Sequence, residues 1–398
     1  MANWACATFP ISHSMKRRRF LQSIAGSLTL AMPGPSLAAS QRVIPSLAEL
    51  AGRKGLTFGS AVSRTALRDP AYAELVKRHC AMLVGENAFK WKYLEPRPRN
   101  VEQDEAEWIA AFARRVDMQL RGHCFLWNHT ERMPPWLVDS ARSLDRRDYR
   151  RLTRHMWRHG ARLARLFPQI SHWDAINEAI DPATGRMRET PFTRILGSRF
   201  FDIAFRILHE KHPEAQLVYN DTMGWEANGT HRNGVLRLLE GALARGVPIH
   251  ALGIQSHIGK TLGELRNERA WRDFLGEVQG LGLDIHLTEF DCSDRNVETS
   301  ERAIRDRETA AHAKGYLDLT LDFPSVRQLL VWSLSDGPSY MNRPSYPDWR
   351  RRDDGRAMRG HPFDETLRPK LLYFAMANAL RHAPLRVSQR PVGSTGSA

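Results

Sequence analysis

Eight short β-rich runs, each followed by a longer amphipathic stretch, predict an α/β fold: a single domain built as an eight-stranded (β/α)8 TIM barrel. The alternation occupies about 340 residues, which suits one barrel with enlarged loops. Several of the short runs carry apolar residues on both faces, as parallel strands covered by helices must. A doubly wound open sheet would want a Gly-rich phosphate turn after its first strand, and Gly59-Ser60-Ala61 does not supply one.

The strands are expected at Leu56–Ala61, Ala81–Gly85, Gln119–His123, His172–Asn177, Gln216–Asn220, Ala251–Gln255, Asp284–Thr288 and Gln328–Ser333. Helical periodicity lies between them, at Pro70–His79, Glu105–Val116, Leu144–Leu166, Thr193–Lys211, Gly229–Arg245, Leu262–Gly280 and Glu301–Leu321, with a closing helix at Pro369–His382. The stretch 337–366, rich in Pro, Asp and Arg, reads as the loop after strand eight. The barrel is expected over 39–383, with 384–398 as a flexible tail.

Of the 398 residues, 42% are apolar and 26% charged, enough for a sizeable core. The formal charge of +14 raises nucleic acid as a partner. The arginines are scattered, however. Their densest run, Arg142 to Arg165, reads as the solvated face of one amphipathic helix. No zinc-finger spacing, RNP-like motif or basic tail accompanies it, so no nucleic-acid partner is expected.

Residues 1–38 read as a signal peptide. Lys16-Arg17-Arg18-Arg19 supplies the basic start, Ser23 to Met32 the short apolar segment, and Ser36-Leu37-Ala38 the small-residue cleavage site. Arg17-Arg18-x-Phe20-Leu21 resembles the twin-arginine export signal, which implies a periplasmic or secreted protein. A leader beginning at Met15 would have ordinary proportions, so the start is expected there. No later segment is apolar enough to span a bilayer, and no stable membrane anchor is expected. Cys80, Cys124 and Cys292 remain after the leader, too few and too widely spaced for a disulfide framework. His209-Glu210-Lys211-His212 is one residue short of the zinc motif HExxH and reads as a helix end. Neither metal nor cofactor is implied, and a monomer is expected.

Polar and aromatic residues gather just after the strands, where a barrel places its active site. Strand two runs into Glu86-Asn87-Ala88-Phe89-Lys90-Trp91, strand three into His123-Cys124-Phe125-Leu126-Trp127-Asn128, strand four into Asn177-Glu178, strand six into Gln255-Ser256-His257, and strand seven into Glu289-Phe290-Asp291. Glu178 and Glu289 are far apart in the chain, yet both fall at strand ends that share one barrel mouth. Two facing carboxyl groups are the equipment of glycoside cleavage: one protonates the leaving oxygen while the other attacks or activates water.

Trp173-Asp174-Ala175-Ile176-Asn177-Glu178-Ala179 and Leu287-Thr288-Glu289-Phe290-Asp291 resemble the acid/base and nucleophile segments of the glycoside hydrolase family 10 endo-β-1,4-xylanases. Glu86-Asn87-x-x-Lys90-Trp91, Arg121-Gly122-His123, Tyr219-Asn220-Asp221, Gly253-Ile254-Gln255-Ser256-His257, Val331-Trp332 and Pro369-Lys370 match in the same order, over roughly residues 45–382. The resemblance implies hydrolysis of xylan or xylo-oligosaccharides with retention, Glu289 serving as nucleophile and Glu178 as acid/base. By the same resemblance His257 and Asp291 orient the nucleophile and Asn177 bonds the sugar 2-hydroxyl. Glu86, Asn87 and Lys90 bind the sugars on the non-reducing side, and His123, Trp127, Gln255 and Trp332 line the subsite of bond cleavage. Trp91, Trp136 and Trp173 are expected to pack the barrel.

Three positions depart from the family pattern. Asn128 stands where His is frequent, Gly85 where Pro or Ala is common, and Tyr340 where a second Trp often covers the cleft. Asn128 and Tyr340 are still expected at the substrate. A β-glucanase or aryl-cellobiosidase, and a non-catalytic sugar-binding barrel, are the rival readings.

Overall fold

A computed structural model describes residues 44–226, 229–259 and 266–386. The expected leader over 1–38 and most of the expected tail lie outside the described residues, as does the start of the helix expected at 262.

The eight barrel strands are β1 (Thr57–Val62), β2 (Met82–Gly85), β3 (Gln119–Gly122), β4 (His172–Asn177), β5 (Gln216–Asp221), β6 (Ala251–Ile254), β7 (Asp284–Cys292) and β8 (Val326–Val331). They pair in parallel in that order, and β8 pairs with both β1 and β7, so the sheet closes on itself. Two further two-residue pairings extend the rim, Leu126–Trp127 against β4 and His257–Ile258 against β7. Strand β7 runs four residues beyond its expected end at Thr288 and carries Asp291 within it.

Two register shifts decide what faces the interior. On β7, Leu287 pairs with Leu329 but Phe290 pairs with Val331, so Thr288 and Glu289 together oppose one residue of β8. Ordinary alternation would send these neighbours to opposite faces. The bulge lets both reach Asn220, and bulges of this kind commonly re-aim side chains beside active sites. A matching shift on β4 between Asp174 and Ile176 brings Asn177 into phase with Asp174.

Helices cover the barrel from outside. The Pro70–His79 helix begins on an Asp69 cap that accepts from the Ala71 amide at 2.9 Å, with Pro70 in the first turn. The Tyr149–Leu166 helix buries Leu152, Met156, His159, Gly160 and Leu163, the helical stripe expected of its spacing, and leaves its arginine face largely to solvent. The helix expected at Thr193–Lys211 is two, Pro191–Leu196 and Arg199–Lys211, broken at Gly197. The second of these ends at Lys211, inside the near-miss zinc motif. After the closing helix Leu371–His382, Arg386 is still buried and donates to the Val326 and Leu321 carbonyls at 3.0 and 2.6 Å. None of the described helices is long and apolar enough to cross a membrane. Cys80, Cys124 and Cys292 are buried free thiols.

Inside the barrel, beneath the mouth, lies a polar layer. Arg121 pairs with Asp174, both fully buried, and donates to Gln328 Oε1 at 3.0 Å. His123 Nδ1 lies 2.8 Å from the second Asp174 oxygen. Burial alone would raise the Asp174 pKa, but Arg121 and His123 outweigh it and hold the carboxyl below its ordinary value. The stability this pairing contributes is therefore present above the unfolded carboxylate pKa and lost as pH falls through the folded one. Asp174→Asn leaves the guanidinium buried without its counter-charge and is expected to cost about 3–5 kcal/mol. Urea unfolding near neutral pH measures this, and a loss below about 1 kcal/mol would mean the charge is compensated elsewhere.

Candidate active site

The strand ends open into a cleft of about 730 Å³, within the range that encloses a small organic ligand. Glu178 and Glu289 both line it, with Asn177, Gln255, His257, His123 and Trp332 between and around them. They belong to one hydrogen-bonded chain. Gln255 Nε2 donates to Glu178 Oε1 at 3.1 Å and to Asn177 Oδ1 at 3.2 Å. Asn220 Nδ2 donates to the same Asn177 oxygen and to Glu289 Oε1, each at 2.9 Å. The Thr288 hydroxyl donates to Asn220 Oδ1 at 2.6 Å, which fixes that amide with its nitrogen toward Glu289. Gly253 makes room for it: a Cβ there would stand 2.4 Å from Asn220 Oδ1.

The two glutamates sit in different surroundings. Glu289 is buried, with His257 Nε2 3.3 Å from its second oxygen. Burial pushes its pKa up, but His123, His257 and Lys90 together hold it below the usual carboxylate value. Glu178 is half-buried, and its backbone takes a positive φ of 56°, uncommon for a side chain of this kind and characteristic of constrained sites. Its amide is pinned by donation to the Asn220 carbonyl at 2.9 Å. His257 Nδ1 lies 2.7 Å from Asp291 Oδ2, so the imidazole is held between two carboxylates.

On the side of β2, Lys90 is buried with Nζ 4.8 Å from the Trp127 ring centre and 5.8 Å from that of Trp332, and it donates to Asn87 Oδ1 at 2.8 Å. Burial lowers its pKa. Glu86 lines the cleft, but both its oxygens accept from Arg343, at 2.5 and 2.7 Å, so part of its acceptor capacity is already engaged.

Asn128 is not at the cleft. It is fully buried behind it, accepting from Thr190 Oγ1 at 2.8 Å and pointing its amide at the Ala179 and Arg188 carbonyls. Its substrate-binding assignment is therefore corrected: a short amide fills its hydrogen-bonding needs on the segment after Glu178. Tyr340 does line the cleft, yet its hydroxyl donates to Asp291 at 2.9 Å. Gly85 has a steric cause, since a Cβ there would lie 2.7 Å from the Phe89 ring. Trp91 and Trp173 are buried and Trp136 half-buried, packed against the barrel.

Sequence reasoning passed over Asp174, which orients His123, and Asn220, which bridges the glutamates, although both stand inside motifs it used. It also missed Arg132, Arg188 and, in the loop after β8, Arg343, Tyr346, Trp349 and Arg350, all lining the cleft. That loop has no periodicity from which their direction could be read.

A closed parallel barrel whose mouth gathers two glutamates, one buried as an anion and one half-exposed, defines a β/α-barrel protein of the paired-carboxylate class. The profile of glycosyl hydrolase family 10 matches residues 46–379, and the chain belongs to that family. It is 27% identical to endo-1,4-beta-xylanase C of Paenibacillus barcinonensis, over 85% of this chain but only 32% of that longer protein. It is 29% identical to a thermostable celloxylanase of Thermoclostridium stercorarium, covering 85% of this chain and 88% of the relative. The intracellular xylanase of Thermoanaerobacterium saccharolyticum, solved as a mutant with xylotriose, superposes with a TM-score of 0.72 at 26% identity, over 84% of this chain and 99% of that one.

Gly253→Ala forces Asn220 off its position and is expected to cost about 1–3 kcal/mol, as overpacking in a tight interior does. A thermal or urea melt measures it, and a variant as stable as the parent would show that Asn220 is free to move.

Proposed function

We propose that this chain is an endo-acting β-1,4-xylanase that cleaves xylan and xylo-oligosaccharides with retention of configuration. The observation that carries the reading is the convergence of Glu178 and Glu289, from β4 and β7, on one cleft and one hydrogen-bonded chain. In the first step a Glu289 oxygen bonds to the anomeric carbon as the glycosidic bond breaks, and Glu178 gives its proton to the departing oxygen. In the second, Glu178 takes a proton from water, the water oxygen bonds to the anomeric carbon, and Glu289 leaves as carboxylate. A nucleophile has to be ionised before substrate arrives, and the environment holding Glu289 low supplies that condition. Trp127 and Trp332 offer indole surface to pyranose rings.

NMR of a xylo-oligosaccharide digest tests the reading directly. The first-formed product is expected to be the β-anomer, and an α-anomer would overturn the double displacement. Removal of the proton donor in Glu178→Ala is expected to lower kcat on xylan by about 10²–10⁴. Glu289→Ala should abolish turnover, and retained hydrolysis would instead favour a different nucleophile. Because Lys90 helps hold Glu289 ionised, Lys90→Met should move the acid limb of kcat/KM to higher pH. The celloxylanase name of one relative keeps glucan in view, so xylan, carboxymethyl-cellulose and mixed-linkage glucan should be compared. Faster cleavage of glucan would reassign the substrate.

Export through a twin-arginine-type leader over 1–38 belongs to the same proposal. Replacing Arg17 and Arg18 by lysine should leave the protein in the cytoplasm of an expressing bacterium, and unchanged export would remove this part of the reading.

A further inference from the structure

Tyr340 stands where the sequence offers an aromatic cover for the cleft, but its hydroxyl is turned inward. It donates to Asp291 Oδ2 at 2.9 Å, and the same oxygen lies 2.7 Å from His257 Nδ1. His257 Nε2 in turn lies 3.3 Å from Glu289 Oε2. The three contacts form a relay from the loop after β8 to the nucleophile. The ring has little freedom: it packs edge-on against Tyr346, with centroids 5.4 Å apart, and against the cluster containing Met82, Leu330 and Trp332. Burial, followed by the neighbouring Asp291 carboxylate, keeps the phenol protonated far above neutrality, so it remains a donor.

We propose that the Tyr340 hydroxyl is a positioning group for the reaction: by donating to Asp291 it sets how strongly that carboxylate holds the His257 ring, and through the ring how Glu289 is aimed and polarised. The proposal rests on the assignment of Glu289 as nucleophile. A carboxylate oxygen shared between two donors pulls less on each than one serving a single donor. With the phenol present, Asp291 is a moderated partner for His257. Without it, Asp291 concentrates on the imidazole and favours the imidazolium.

The groups facing His257 come from two places. Glu289 and Asp291 lie on β7, and Tyr340 and, further along, His361 on the loop after β8, with Tyr346 packed on Tyr340 beside Asp291. Burial holds His361 at a pKa of about 4 and raises Tyr346 to about 12, so both are neutral near pH 7. The carboxylates and the phenol therefore govern the His257 proton.

Tyr340→Phe keeps the ring and removes only the hydroxyl. Imidazole ¹⁵N NMR of the whole protein, with the His257 signals assigned by their loss in His257→Asn, follows the titration without turnover. The His257–Asp291 pair titrates as a unit, and its upper midpoint is expected to rise by about 0.5–1 pH unit in the variant. On xylan, kcat should fall while KM changes little, because the ring that lines the cleft remains. An unchanged His257 midpoint in a variant that melts like the parent would overturn the proposal. Should Tyr340→Phe fail to fold, Tyr340→Trp, which also lacks the phenol, takes its place in the same comparison. A wrong anomer in the digest would strike the nucleophile assignment and leave the NMR result standing, so the two failures are separable.

Discussion

A carboxylate withdrawn from water has to be compensated, or it takes up a proton and stops being a nucleophile. Most of the polar construction at the barrel mouth answers to that demand at Glu289. Asn220 donates to one oxygen, His257 faces the other, and Lys90 and His123 add positive potential. Each of these is itself held. Thr288 orients Asn220, Asp291 holds His257, Asp174 holds His123, and Asn87 Oδ1 accepts a hydrogen bond from Lys90. The site is thus a set of polar groups whose own hydrogen bonds leave them few alternative orientations, which is how preorganisation lowers the reorganisation required at the moment of reaction.

The polar groups are stacked in two storeys. The lower one, Arg121 with Asp174 and Gln328, fills the barrel interior where many barrels place apolar side chains. A buried ion pair is weak support for stability but strong support for a defined geometry when its remaining hydrogen bonds are met. Here it ends at His123, a residue of the upper storey. A disturbance of Asp174 therefore reaches the cleft through the His123 imidazole.

The loop after β8 gives this barrel its own character. It delivers Tyr340 to Asp291 and Arg343 to Glu86, so it is tied to the rim at two points contributed by different strands. Trp349, exposed at 65%, stands at the cleft edge on the same loop. The half-exposed Arg343–Glu86 pair contributes little to stability by itself. Its consequence is steric and chemical: the carboxylate that the motif offers to a sugar hydroxyl is already accepting two donors.

The sequence by itself determined the barrel, the order of its strands and the position of both glutamates at strand ends, because hydrophobic periodicity and turn chemistry are local properties. All eight strands fall within two residues of their expected starts, and Glu178 and Glu289 line the shared mouth they were assigned to. Tertiary structure alone decided the facing of residues that break alternation. Thr288 beside Glu289, and Asn177 in phase with Asp174, both depend on bulges that arise from pairing with a neighbouring strand. Pairing across long chain separations also decided that Asn128 lies behind the cleft, that Glu86 is engaged by Arg343 and that Tyr340 turns its hydroxyl to Asp291. None of those contacts leaves a periodic trace in the chain, since each is fixed by where a loop lands on the closed barrel.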